Sequence, residues 1–231
     1  MQQITDFKQL NIDFKSKVLF VMAHPDDESV FTGGLMLMLK NRGIKFDLVC
    51  LTNGEASTLR YGLTDGDDLA KVRLEELRKA SYILGVNTLI KYGFKDGGLD
   101  LEYGELKSSL VKEINDHQID TVITFEPAGI SGHKDHIMTS KALTEIFKEQ
   151  KNFQLIYVSS SPKYLKEKMQ SQPDLRPIFP EFKLKIGLYN ALLKIKACKV
   201  HFSQFGENRD FWQKHESEEL FEYEFFSLAK N

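Results

Sequence analysis

Two cysteines in 231 residues leave no room for a disulfide framework or a cysteine-built metal site. Cys50 sits inside the apolar run Phe46 to Leu51 and Cys198 in a helical pattern, so both read as small buried hydrophobes. There is no long apolar span and no basic leader followed by an apolar stretch. The expectation is therefore a cytoplasmic protein that neither spans a membrane nor is secreted. Charge of one sign is missing too. With 31 basic and 33 acidic residues the formal balance is −2, which gives no general electrostatic case for nucleic acid or an anionic membrane as partner. Low-complexity tracts are absent and no domain boundary stands out, so a single domain over 1–231 is expected.

What is present is organised around Val18-Leu19-Phe20-Val21-Met22-Ala23-His24-Pro25-Asp26-Asp27-Glu28. Six apolar residues run into an imidazole, a proline and three acids, and Phe31 to Leu39 continue with helical spacing. This is a buried strand, a sharp turn and a helix. A continuous apolar run suits an interior parallel strand, and turns at the carboxyl ends of such strands are where open α/β sheets bind ligands. The acids could simply favour a helix N-terminus. One short side chain is enough to cap a helix, however, and capping explains neither His24 nor the second Asp.

Asn41-Arg42-Gly43 reads as a helix stop, Lys45 to Leu51 as a second strand, and Thr52-Asn53-Gly54-Glu55 as its loop. Asp65 to Asp68 starts a helix that runs to Leu84 and ends at Gly85. Its apolar stripe of Leu69, Val72, Ala80, Ile83 and Leu84 also contains Arg73 and Glu76. Charges in such a stripe need partners. These two, three apart, could pair with each other or meet a substrate. Asn87 to Lys91 is a short strand, followed by a Gly-rich loop whose Asp96 could line a site or only turn. Glu105 to His117 is a helix, with His117 at its solvent end.

Thr121 to Phe125 forms a compact apolar strand leading into Glu126-Pro127-Ala128-Gly129-Ile130-Ser131-Gly132-His133-Lys134-Asp135-His136, the second chemical cluster. His133 and His136 are neighbours on a helix surface, and both clusters follow apolar strands, which brings them to one sheet edge. A catalytic zinc commonly takes three nitrogen or oxygen ligands and keeps one position for water. His24, Asp27 and His136 supply such a set, leaving Asp26 and His133 for proton transfer and charge stabilisation.

These motifs make the chain similar to the PIG-L/LmbE superfamily of zinc-dependent N-deacetylases. Ala-His-Pro-Asp-Asp-Glu stands at Ala23–Glu28 and His-x-Asp-His at His133–His136. Arg73, Glu76 and Ala80 match an Arg-x-x-Glu-x-x-x-Ala helix, and His201-Phe202-Ser203-Gln204 resembles the family's His-x-Ser-Gln segment. The resemblance, from about residue 18 to 204, implies a Rossmann-like three-layer α/β sandwich with a mainly parallel sheet. It also implies Zn2+ on His24, Asp27 and His136, Asp26 as general base, His133 stabilising the oxyanion and Asp135 orienting His133. Arg73, Glu76, Asp96 and His201 are secondary candidates for contact with substrate or support of the ligands. The implied substrate is an N-acetylated amino sugar of N-acetylglucosamine type, free or in a glycoconjugate. Asn53 stands where many members carry Arg or another residue, and Lys134 where Pro is frequent.

Three other classes stay open. A phosphoesterase could use His/Asp chemistry, but a two-metal site needs more ligands than these. A nucleotide-binding module would rest on Gly33-Gly34, which is too short for a phosphate fingerprint and reads as close packing. A catalytically silent metal-binding protein would leave Asp26 and His133 unexplained.

In the last third, Phe153 to Ser159 reads as a strand, Lys163 to Gln172 as a charged helix or loop, and Leu184 to Val200 as a packed helix after Pro173, Pro177 and Pro180. Phe202, Phe205, Phe211, Trp212, Phe221, Tyr223, Phe225 and Phe226 read mostly as core, with any exposed remainder suited to a homo-oligomer interface. Substrate-determining contacts usually lie in variable loops, and those around residues 55–66, 94–104 and 161–181 are where the sequence pattern says least.

Overall fold

The computed structural model describes residues 1–207 and 221–230. Gln2–Ile4 (β1) and a 3-10 turn, Phe7–Leu10, precede Val18–Met22 (β2), Asp27–Asn41 (α1), Phe46–Thr52 (β3), Leu69–Leu84 (α2), Thr88–Phe94 (β4) and Tyr103–Asp116 (α3). Thr121–Phe125 (β5) is followed by the short turn Gly129–Gly132 (α4), Lys134–Gln150 (α5), Gln154–Ser159 (β6), Pro162–Ser171 (α6) and Phe182–Lys185 (β7). Leu188–Val200 (α7), Phe202–Phe205 (α8) and Tyr223–Leu228 (β8) complete the described elements.

The strands form one sheet in the order β1-β7-β8-β6-β5-β2-β3-β4, parallel except for β8, which runs against both β6 and β7. β2 and β5 are buried along their whole length, the consequence of apolar runs without polar interruption. Alternate residues feed two cores. Phe20, Met22, Leu48 and Ile123 pack under α1, α2 and α7, while Leu19, Val21, Val49 and Val122 pack under α3 and α5. Gly33-Gly34 packs closely as expected: a Cβ on Gly34 would come within 2.5–2.9 Å of Ile186 and the Glu224 carboxylate.

From β2 the chain moves outward through β3 to β4, then crosses back to place β5 on the other side of β2. The register Val18↔Thr121, Leu19↔Val122, Phe20↔Ile123 holds β2 and β5 level, so the turns after Met22 and Phe125 open side by side at the switch point of the sheet. This is the mainly parallel α/β sandwich that the sequence implies.

The differences lie mostly at the sheet's far edge. Leu184 does not begin a helix: it is in β7, paired with Ile4 and Glu224, and the helix starts at Leu188 after Gly187 turns the chain at φ 78°. The alternation Phe182-Lys183-Leu184-Lys185-Ile186 has the period of a strand. Lys163 to Ser171 is helical because Ser161 Oγ accepts the Tyr164 N–H and Pro162 occupies the first turn, and Gln172 caps its end. Among the C-terminal aromatics Phe221, Phe225 and Phe226 are buried and Phe202 is half exposed, whereas Phe211 and Trp212 lie outside the described residues. Cys50 and Cys198 are both buried, free thiols. Among the described residues no helix is long and apolar enough to cross a membrane.

Candidate metal centre

At the end of β2 the chain reverses tightly. The His24 N–H donates to Asp27 Oδ2 at 2.8 Å, and the Ala23 carbonyl accepts both N–H and Oγ1–H of Thr52, tying the turn to the end of β3. Asp26 occupies the N-cap position of α1 at φ 119°, ψ −29°, and its side chain makes no capping hydrogen bond. The capping explanation of the acids therefore fails for Asp26. Its carboxylate turns to Arg73, with Nη2–Oδ2 at 3.2 Å, while the Asp26 N–H goes to Glu28 Oε2 at 3.0 Å. No other described side chain bonds the Asp26 carboxylate.

His24 Nε2 lies 3.2 Å from Asp96 Oδ1 and 3.3 Å from Asp135 Oδ2, so this nitrogen carries the hydrogen. His136 Nδ1 donates to the Gly129 carbonyl at 3.2 Å, and its ring stacks on Phe125 at 3.9 Å between centroids and 2° between planes. Both rings are thereby fixed in the tautomer that turns a lone pair inward. His24 Nδ1 and His136 Nε2 face each other at 3.3 Å, with Asp27 Oδ2 3.4 Å from the first and Oδ1 3.2 Å from the second. Two ring nitrogens so close, beside a buried carboxylate, call for a cation among them, either a proton on His24 or a metal ion. Imidazoles backed by carboxylate or carbonyl acceptors are the usual surroundings of a metal ligand. The donor set thus fits a borderline-soft divalent ion.

His133, exposed at the start of α5, completes the group. Its ring centroid is 4.6 Å from that of His24 and 4.9 Å from that of His136, and a ring nitrogen from each of the three lies within 4.8 Å of the others. His133 Nδ1 accepts the Asp135 N–H at 3.3 Å, which leaves the hydrogen on Nε2 when the ring is neutral. The Asp135 side chain does not orient His133 as expected. Its carboxylate is taken by His24 and by the N–H groups of Gly97 and Leu99, and only its backbone reaches His133. A residue that begins a helix turn aims its side chain back across the sheet edge, here at the neighbouring strand's histidine.

The electrostatics follow from this packing. Burial would lower the His24 imidazole, but the carboxylates of Asp135, Asp27 and Asp96 outweigh it and raise it well above its ordinary value. Burial would raise Asp27, yet His136 and His24 hold it well below the carboxylate range. Asp26 goes the other way: burial lifts it to about 6 despite the opposing pull of Arg73. His133 remains open to solvent, and partial shielding among these groups together with the neighbouring imidazoles of His24 and His136 lowers it.

Arg73 and Glu76 do not pair with each other. Arg73 spans the site's backbone, donating to the carbonyls of Gly54 (2.7 Å) and Pro25 (2.5 Å) as well as to Asp26. Glu76 accepts the N–H and hydroxyl of Ser203 at 2.8 and 2.6 Å. Gly54, at φ 68°, has its missing Cβ replaced by the Arg73 guanidinium. Asp96 both turns and lines the site, accepting the Ala56 N–H at 2.9 Å beside His24. His201 closes α7, wholly buried, with Nε2 2.8 Å from Glu28 Oε1. Burial would lower His201 and raise Glu28, yet His201 is raised and Glu28 lowered, the mark of a pair that is ionised in the fold. Glu28 was not singled out from sequence, although Glu28, Thr32, Leu35 and Leu39 run along one helical face into the core.

An open, mainly parallel sheet with a candidate His/Asp metal centre at its switch point is the class of protein that fold and side chains define. The chain belongs to the PIG-L family: the family described as GlcNAc-PI de-N-acetylase matches residues 19–147. A Bacillus anthracis protein, "Probable N-acetyl-alpha-D-glucosaminyl L-malate deacetylase 2", is 35% identical over 131 residues, covering 55% of this chain and 58% of that protein. A Mycobacterium "1D-myo-inositol 2-acetamido-2-deoxy-alpha-D-glucopyranoside deacetylase" is 29% identical over 150 residues, covering 55% of this chain and 49% of its own length. The chain thus spans about half the length of the curated relatives it matches. The solved N,N'-diacetylchitobiose deacetylase of Pyrococcus horikoshii superposes with a TM-score of 0.69 at 25% identity, over 96% of this chain and 89% of that one.

Proposed function

We propose that this chain is a zinc-dependent hydrolase that removes the acetyl group from an N-acetylglucosamine-type sugar or glycoconjugate. The observation that carries the reading is the pair of inward lone pairs on His24 and His136 beside the Asp27 carboxylate, at the mouth of the sheet. The relatives' names add the substrate class, since each is described as a deacetylase of an acetylated glucosamine compound.

In this reading His24, Asp27 and His136 would hold zinc, and bound there it would supply an acidified water and a Lewis acid for the acetamide carbonyl. Asp26 takes the proton of the attacking water. Its Oδ2 is anchored on Arg73, leaving the other oxygen to work, and its half-buried position keeps it within reach of a small ligand. His133 donates its Nε2–H to the carbonyl oxygen as negative charge develops there. Because the Asp135 N–H occupies Nδ1, the neutral ring already presents that donor, and no protonated imidazole is required. Asp26 then passes its proton to the departing amine, leaving acetate and a free amino sugar. Asp135 and Asp96 act on His24, holding its lone pair inward.

Residues 1–231 act as one deacetylase unit in this reading, on a small-molecule sugar and without nucleic acid. The cytoplasm is the place of action, in keeping with two free buried thiols. Self-association is a use for the aromatic residues left exposed, such as Phe202. The test is an acetate-release screen over N-acetylglucosamine conjugates with zinc supplied. Acetate release supports the reading, whereas phosphate release from phosphoesters with no acetate from any conjugate would replace it.

A further inference from the structure

Glu126 directly follows β5, is fully buried, and has no part in the chemistry above. Its carboxylate collects three main-chain donors: Ala128 N–H at 3.0 Å and Ile178 N–H at 2.9 Å on Oε2, and Ile130 N–H at 2.7 Å on Oε1. Ile130 is the unusual one. It is β-branched and held at φ 63°, ψ −58°, a conformation such residues avoid, with its side chain in the core under α1.

The N–H of Ile130 and the carbonyl of Gly129 belong to one trans peptide group, so they point in opposite directions from a rigid plane. Glu126 holds the N–H end. The carbonyl end accepts His136 Nδ1–H, and this bond turns His136 Nε2 inward. The close fit requires glycine at 129, where φ is 65° and a Cβ would come within 2.9 Å of His136 Cβ.

We infer that Glu126 is a positioning residue for metal binding: by holding the Ile130 N–H it fixes the Gly129–Ile130 peptide plane, whose carbonyl sets the orientation of His136. The inference rests on the reading of His136 as a zinc ligand. The Glu126 bond to Ile178 also fastens the loop ahead of β7 to the same carboxylate, so that loop and the ligand's support share one anchor.

The experiment measures zinc affinity of folded protein, by competition with a chromophoric chelator, alongside the melting temperature. Glu126→Gln keeps the volume but turns an amide N–H2 toward backbone donors, and zinc should bind about 10–100-fold more weakly. Glu126→Asp, which keeps the charge on a shorter arm, should fall in the same direction and carries the comparison if the Gln variant does not fold. Adding Ile130→Gly to either variant should recover zinc affinity, because glycine adopts φ 63° without strain, while removal of the buried Ile side chain lowers the melting temperature further. Recovery of affinity with loss of stability separates positioning from a merely structural role, in which both would fall together. Wild-type zinc affinity in both Glu126 variants, or a joint fall in the Ile130→Gly double variant, overturns the inference. His136→Ala is the control: if it keeps full zinc affinity, the reading of the site fails and takes the inference with it. If His136→Ala loses zinc while the Glu126 variants do not, the inference alone falls.

Discussion

Replacing His201 by alanine should cost the fold about 3–5 kcal/mol, the range for breaking a buried ion pair by removing one partner. The structure places this pair at the high-cost end. His201 Nε2 and Glu28 Oε1 are 2.8 Å apart and both side chains are 0% exposed, so solvent neither weakens the attraction nor rescues the survivor. After the substitution Glu28 keeps the Asp26 N–H and the Ser29 hydroxyl, but no positive charge touches it. For a chain of 150–250 residues, roughly 2–4 °C of melting temperature follows each kcal/mol. The expected fall is therefore about 6–20 °C by calorimetry or circular dichroism. Glu28→Gln should give a loss of similar order, and the double variant should be milder than the sum by about 0.5–3 kcal/mol, since the second change no longer strands a charge. A shift under about 2 °C for His201→Ala, or strictly additive single losses, would refute the pair as an ionic support of the acid turn.

Asp26→Asn should retain zinc and lose about 10²–10⁴-fold in kcat, because the amide still accepts from Arg73 but cannot take a proton. Metal analysis together with steady-state kinetics reads both halves. For His133→Ala the expectation is full metal content and a fall of about 10²–10³-fold in kcat, larger than any rise in KM; an emptied metal site would instead make His133 a ligand. Dialysis against a chelator should abolish acetate release without changing the circular dichroism spectrum, with zinc restoring activity, and activity that survives full metal removal would end the zinc reading. Gly34→Ala should destabilise by about 1–3 kcal/mol through crowding against Ile186 and Glu224, and an unchanged melting temperature would show that α1 can slide.

How much of this was legible depends on whether a residue's task is local. The strand, turn and helix through Glu28, and the strand Thr121–Phe125, could be read because uninterrupted apolar runs and the acids that end them are neighbours in sequence. The convergence of His24, Asp27 and His136 followed from placing both turns at one sheet edge. The partners of Arg73 and Glu76 could not be found that way, because they lie 47 and 127 residues from the groups they bind in Asp26 and Ser203. Asp135 shows the same limit: its backbone serves its own helix, but its side chain answers to a histidine from another strand. β1 was missed because a three-residue edge strand has no strong run of its own, and β7 because its end merges into the apolar spacing of the helix that follows.

The position of β8 bears on how the chain is made. β1 and β7 join the rest of the sheet only through β8, and β8 comes last among the described strands. A nascent chain that has not yet delivered residues 221–230 holds two separate sheet fragments with exposed edges, and vectorial synthesis cannot merge them early. Glu224 on that strand also accepts the N–H groups of Gly34 and Leu35 and pairs with the buried Lys194, so the helix carrying Asp27 is fastened by a residue translated 190 positions after Gly34. Ribosome-bound intermediates truncated before residue 221 should accordingly be protease-sensitive in α1 as well as at the far edge of the sheet, so loss of β8 should register in a helix translated long before it.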